Sequence, residues 1–225
     1  MMRLQKFLAD AGIASRRQAE KLIADRKIMV NNKIVTKPGT TVDPSNDQII
    51  YNNKVITLSS NKIYIALHKP VGYVSSSSSE QGKSVLDLVK VKERVYPVGR
   101  LDKDSSGLII LSNDGELTNK ITHPKFGHDK EYFLVLDQDL KSEDIKKLEK
   151  GITMQGKKIK GIKVAMAKNK SARFILQEGV NRQIRRMLGK LGYTAIKLKR
   201  VRIGKLELQD LKPGQWKKIN KSDIF

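Results

Sequence analysis

Gly99-Arg100-Leu101-Asp102-Lys103-Asp104-Ser105-Ser106-Gly107-Leu108-Ile109-Ile110-Leu111-Ser112-Asn113-Asp114-Gly115 is the stretch around which the chain is organised. A charged, hydroxyl-rich turn bracketed by Gly99 and Gly107 runs into Leu108 to Leu111, an apolar run with β-branched character that predicts a buried strand. Asp102 is thereby placed on an irregular loop anchored by a core strand, and loops on rigid scaffolds are where catalytic groups concentrate. Arg100 and Lys103 add cations that favour the ionised form of a partly buried carboxylate. A second reading stays open on these residues alone: Asp102 and Asp104 are ordinary turn formers whose carboxylates bond nearby amides.

Downstream of this stretch, Asp114-Gly115 marks a turn and Leu117 to Ile121 a brief helix. Lys130 to Leu136 predicts a strand with Tyr132 near its start, and Ser142 predicts the cap of a helix through Ile145 and Leu148 that Gly151 stops. From Lys150 to Gln177 no acidic residue occurs, while Lys157, Lys158, Lys160, Lys163, Lys168, Lys170 and Arg173 accumulate. Charge so one-sided favours a surface that tracks phosphates over a merely solvated face. Phe174 to Leu176 predicts another strand. Ile184, Met187, Leu188 and Leu191 then mark the buried stripe of a helix ending at Gly192, with Arg185 flanking it. A guanidinium there must meet solvent or a carboxylate, because desolvating it alone is expensive. The apolar alternation changes parity between Ile196-Leu198 and Val201-Ile203, which predicts a β-bulge near Lys199-Arg200.

Upstream, Ile63 to Leu67 predicts a strand closed by His68-Lys69-Pro70, and the five serines Ser75 to Ser79 cannot pack a core. That run is expected to be a loop, with hydroxyls available to phosphate. At the N-terminus, Leu4, Phe7, Leu8 and Ala11 recur at helical spacing, and Gly12 ends that helix. Ser15 and Gln18 form a capping-box pattern that opens a second helix, with Arg16 and Arg17 in its first turn. Cations are disfavoured at that end of the helix dipole, so an external anion there would offset the cost. Ile28 to Val35 reads as strand, Asn31-Asn32 turn, strand.

The chain has 225 residues, 45 Lys and Arg against 23 Asp and Glu, and a net charge of +22. Such an excess points to a polyanionic partner, and nucleic acid is the leading one. No apolar run is long enough to span a bilayer and the first residues lack the apolar core of a signal peptide, so a cytoplasmic, membrane-free protein is expected. Zero cysteines exclude disulfides and Cys-ligated zinc. The spacing of His68, His123 and His128 fits no common metal motif, so no metal is expected. Neither phosphate-cradling nor dinucleotide glycine motifs occur, and no cofactor is expected.

Residues 1–56, with Arg-Leu-x-x-Phe-Leu at the start and Ser-Arg-Arg-x-x-Ala opening the second helix, resemble the small RNA-binding domain named after ribosomal small-subunit protein four. That resemblance implies an RNA-facing surface of Arg3, Arg16, Arg17 and Lys33, followed by a linker at 57–62. Over 63–225, His68-Lys69-Pro70-x-Gly72, Gly99-Arg100-Leu101-Asp102 with Ser106-Gly107-Leu108, Lys130-x-Tyr132, Gly179-x-Asn181-Arg182-Gln183-Ile184-Arg185-Arg186-Met187 and Leu198-x-Arg200 resemble the ribosomal-RNA pseudouridine synthases that carry such an N-terminal domain. The resemblance implies an α+β fold whose catalytic domain has a mixed, mainly antiparallel central sheet flanked by helices. It implies Asp102 as the catalytic nucleophile, Tyr132 as the ring stacking on a flipped uridine, and Arg185 as the cation paired with Asp102. Arg100, Arg182, Leu198 and Arg200 are the implied substrate-binding residues. The implied partner is ribosomal RNA, 23S near the peptidyl-transferase centre in preference to 16S, modified by a monomer without cofactor. A non-catalytic RNA-binding assembly factor is the competing class.

Overall fold

The computed structural model describes residues 1–58, 61–77, 82–154 and 156–225, which form two compact units. One comprises Met1–Ile63, Lys92–Arg94 and Asn113–Gly115; the other comprises Tyr64–Val91, Val95–Ser112 and Glu116–Phe225. Ser59 and Ser60 of the expected linker, and Ser78 and Ser79 of the serine run, lie outside the described residues. The architecture is α+β.

In the first unit β1 (Met2–Arg3) leads into α1 (Leu4–Asp10) and α2 (Arg16–Ala24). Leu4, Phe7 and Leu8 turn inward at helical spacing onto Ala19 and Ile23. Ser15 and Gln18 close the expected capping box, which satisfies amides that the first turn of α2 leaves open. The strands β2 (Ile28–Val30), β3 (Lys33–Ile34), β4 (Thr41–Val42), β5 (Ile49–Tyr51) and β6 (Lys54–Ile56) follow. They pair in the order β3-β2-β5-β6, with β4 on β1. Asn31 and Asn32 have positive φ, 51° and 62°, as a two-residue hairpin turn requires. A second such pair, Asn52 and Asn53, turns β5 into β6; β6 and the β1–β4 pair are too short for alternation in the sequence to reveal.

The second unit is built from β7 (Tyr64–Lys69), β8 (Tyr96–Val98), β9 (Ser106–Ser112), α3 (Gly115–Thr122), β10 (Lys130–Leu136), α4 (Ser142–Lys150), β11 (Ile152–Met154), β12 (Lys157–Ile159), β13 (Lys163–Lys168), β14 (Ser171–Leu176), α5 (Gln183–Lys190), β15 (Ala195–Ile203), β16 (Leu206–Glu207) and β17 (Trp216–Lys218). Its sheet runs β13-β14-β10-β15-β9-β7-β17, with β16 on β15 and β8 on β9. Among the described strands every pairing in it is antiparallel except β15 with β9, a short parallel contact of Lys199 with Ser106 and Arg200 with Gly107. Leu108 to Leu111 are fully buried, as the apolar run predicts, and Leu108 and Ile110 pack with Ala66, Leu117, Ile121 and Ile203.

The expected bulge is present: Glu131 faces Arg202 and Tyr132 faces Arg200, so Val201 is the extra residue. The capping role expected of Ser142 is not observed. Ser142 is the first helical residue, Lys141 is the cap without a side-chain bond, and the Tyr193 hydroxyl accepts the Lys141 N–H at 3.2 Å. The tertiary bond thus satisfies the amide of the cap residue itself and not a first-turn amide. Leu191 ends α5 half-buried, outside the expected stripe.

Candidate active site

Asp102 sits on the loop between β8 and β9, and most of what holds that loop comes from the segment after β7. Ser75 Oγ donates to the Leu101 carbonyl at 2.9 Å and accepts the Leu101 N–H at 3.0 Å. The Gly72 N–H donates to the Lys103 carbonyl at 2.8 Å, and Lys69 Nζ donates to the Ser105 carbonyl at 2.6 Å. From β15, Arg200 Nε donates to the Leu108 carbonyl at 2.8 Å and Nη1 to the Arg100 carbonyl at 3.3 Å. Gly107 lets β9 approach so closely that a Cβ there would overlap the backbone of Arg200.

Beneath this loop two cations are buried. Lys69 is 0% exposed and Arg200 3%, and their hydrogen bonds go to backbone carbonyls. Burial pushes the Lys69 ammonium down to about 8, although Asp102 and Asp104 pull it back up.

Above the loop lies a cleft of about 240 Å³. Its lining includes the charged Asp102, Arg100, Arg182 and Arg185 and the apolar or aromatic Tyr132, Leu176, Ile184 and Leu198. Tyr132 is placed by the period of β10, which turns residues 130, 132, 134 and 136 inward; Leu198 enters through its pairing with Leu134. Arg182 caps α5 in the left-handed region, φ 50°, and its guanidinium grips Asp104 with two hydrogen bonds of 3.0 Å while standing 3.8 Å from the Asp102 carboxylate. Arg185 Nε lies 3.3 Å from the Asp104 carboxylate, Nη2 donates to the Asp104 carbonyl at 3.0 Å, and Nη1 donates to the Ala195 carbonyl.

Three expectations need correction. The pairing implied for Arg185 with Asp102 is not seen; Arg185 meets Asp104, and the cation nearest Asp102 is Arg182. Arg200, expected to touch substrate, is turned inward as a brace for the Arg100 and Leu108 carbonyls. Asp104, which the sequence marks only as a turn former, holds two arginines. Partial burial pushes its carboxyl up, but the Arg182 hydrogen bonds and the Arg185 and Arg182 charges outweigh this and hold it below the usual range. Ser75 and Lys69 brace the loop in ways that no local pattern in the sequence announces. His68, His123 and His128 occupy separate environments, against the Leu211 carbonyl, at the Pro124–Phe126 turn and beside Phe225 respectively. In the first unit Arg3, Arg16, Arg17 and Lys33 are all exposed.

Residues 63–190, more than half the chain, match the family model described as RNA pseudouridylate synthase. This chain belongs to the RNA pseudouridylate synthase family. Residues 2–49 match the S4 domain, so this synthase carries one at its N-terminus. Among its relatives, the ribosomal large subunit pseudouridine synthase B of Bacillus subtilis is 40% identical over 232 residues, covering 100% of this chain and 94% of the relative. The dual-specificity RNA pseudouridine synthase RluF of Escherichia coli is 37% identical, covering 100% of this chain and 77% of the relative. A crystal structure of a pseudouridylate synthase superposes with a TM-score of 0.73 at 27% identity, covering 100% of this chain and 98% of that one.

Proposed function

We propose that this synthase isomerises a uridine to pseudouridine in ribosomal RNA, that the target lies in 23S RNA near the peptidyl-transferase centre, and that Asp102 is the nucleophile. One observation carries the catalytic part: Asp102 lines one cleft together with Tyr132, Leu176, Ile184 and Leu198, and Arg182, also in the lining, stands 3.8 Å from its carboxylate. The large-subunit target is supported by the name of the Bacillus relative, a large-subunit enzyme.

The reaction breaks the N1–C1′ bond, turns the uracil, forms a C5–C1′ bond, and moves a proton from C5 to N1, with no net redox change. The target nucleotide is flipped into the cleft at a cost of a few kcal/mol. Tyr132 stacks on the base, which contributes roughly 1–3 kcal/mol, and Leu198 lines the uracil pocket. The Arg182 guanidinium stands 3.8 Å from the Asp102 carboxylate. Arg100 and Arg182 hold the substrate from the cleft lining, while Arg185 acts at one remove by fixing Asp104. Arg3, Arg16, Arg17 and Lys33 hold RNA phosphates through the S4 domain. No described helix is long and apolar enough to cross a membrane, and we assign the enzyme to the cytoplasm as a monomer.

Pseudouridine mapping by carbodiimide-blocked primer extension, in ribosomal RNA from cells lacking this protein, tests the reading. A single missing stop in 23S RNA, restored by the parent and not by Asp102→Asn, is the expected result. A missing stop in 16S RNA instead would overturn the choice of subunit, and restoration by Asp102→Asn the choice of residue. The dual-specificity relative makes a second lost site in another RNA an outcome worth mapping in the same cells.

A further inference from the structure

The β13-β14-β10-β15 end of the sheet has two faces, and the cleft uses only one. Tyr132, Leu134, Phe174 and Leu198 are buried on the inner face, while alternation turns Glu131, Phe133, Val135 and Arg173 outward, half-buried or exposed. Strand register sets the outward residues in rows about 7 Å apart along the strands. The middle row runs Met166, Arg173, Phe133, Lys199. The row on one side begins with Lys163 and ends with Arg202 across Glu131, and the row on the other begins with Lys168 and ends with Lys197 across Val135. Two ion pairs fix the same face independently, since Glu131 accepts Arg173 Nη1 at 2.8 Å and Arg202 Nε at 2.9 Å.

Six cations on three strands therefore flank the outward residues of β10, with Glu131 as the one carboxylate in these rows. Lys163, Met166, Lys168, Arg173 and Lys197 are exposed, so no described element covers them. The lysine-rich run read from the sequence divides here: Lys163, Lys168 and Arg173 join this face, while Lys157 and Lys158 lie on the separate β11–β12 hairpin. Charge spread over three rows suits a polymeric anion better than a small one, and half-buried Phe133 and Val135 offer apolar contact for sugar and base edges between the bound phosphates.

We propose that this outer face binds the phosphate backbone of the substrate RNA at a distance from the target uridine, as a surface separate from the cleft. The inference rests on the family's action on RNA and not on the assignment of Asp102.

The test replaces Lys163, Lys168, Lys197 and Lys199 with Gln in the full chain, leaving Arg173 and Arg202 to hold Glu131. Binding is measured against potassium chloride on two probes, a full-length 23S transcript and a short hairpin containing the mapped uridine. Affinity for the long RNA is expected to fall about tenfold, and the slope of log K against log salt to flatten by about 0.9 for each duplex phosphate that the variant no longer neutralises. Hairpin binding is expected to stay as it was. Unaltered affinity and slope on the long RNA would sink the proposal and leave the face to an acidic protein. An equal loss on the hairpin would make it part of the target site, and an equal loss on replacing Lys141, Lys146, Lys150 and Lys218 would reduce it to net charge. Placed on an Asp102→Asn background the four changes should weaken binding by the same factor, so failure of the nucleophile assignment leaves this result readable.

Discussion

Tyr132 and Phe133 are neighbours in one strand and belong to different tasks. Tyr132 is 9% exposed and lines a cleft with Asp102, whereas Phe133 lies half-buried amid arginine and lysine on the opposite face. The inner face concentrates a few groups beside a loop whose backbone is held by named bonds, because isomerisation depends on placement to within an ångström. The outer face spreads exposed charge, because affinity for a polyanion grows with the number of phosphates met and tolerates loose placement of each. The period of two along β10 lets one strand serve both.

This division predicts that changes on the inner side act on turnover and changes on the outer side act on affinity and salt dependence. The largest effect should come from Asp102→Asn, with kcat down about a thousandfold or more, some 4 kcal/mol, and RNA affinity held within about twofold; an equal loss of affinity would break the division. Next is Lys69, whose folded value of about 8 lies below its ordinary 10.5. The unfolded chain therefore binds the extra proton between these values, so a cost of about 3 kcal/mol, present below pH 8, is relieved as pH rises toward 10.5. Calorimetry of the parent against Lys69→Met across that window should show the parent gaining relative stability; parallel curves would mean that Lys69 is not the buried cation described. Asp104→Ala should lower kcat about tenfold, near 1.4 kcal/mol, by releasing Arg182 and Arg185, with KM for RNA little changed. A loss confined to KM would instead make Asp104 part of RNA binding. Smallest is Ser75→Ala, expected to lower kcat about fivefold, near 1 kcal/mol, with Ser75→Thr recovering most of it; Ser77→Ala serves as a neighbour control, and equal behaviour of the Ser75 and Ser77 variants would rule out the clamp.

Strong local periodicity made much of the framework legible. The Lys130–Leu136 strand, the buried Leu108–Leu111 run, the Ser15 capping box and the bulge beside Arg200 are all written in nearest-neighbour patterns. The motifs around Asp102, Tyr132, Arg182 and Leu198 likewise brought to one cleft residues that lie far apart in the chain. What stayed hidden depends on tertiary partners. A run of like serines gives no sign that Ser75 would bond both the N–H and the carbonyl of Leu101. Arg200, which the resemblance implies as a substrate-binding residue, is instead drawn under the loop beside the parallel β15–β9 contact. Lys141, not Ser142, caps α4, and its N–H meets the Tyr193 hydroxyl, 52 residues further along the chain, which no local pattern announces. The basic outer face needed strand register, because its six cations come from three strands.

The parallel contact of β15 with β9 joins two half-sheets, one carrying Tyr132 and Leu198, the other leading from the Asp102 loop, through only two residue pairs. It works as a calibrated spacer. Where Gly107 meets Arg200 the approach is so close that a methyl group added at residue 107 would wedge the half-sheets apart and shift the Asp102 loop against Tyr132 without touching either side chain. Selection for a different RNA could then act on the cleft arginines and the outer lysines freely, while the two pairs at this junction must be kept for the chemistry to remain the same.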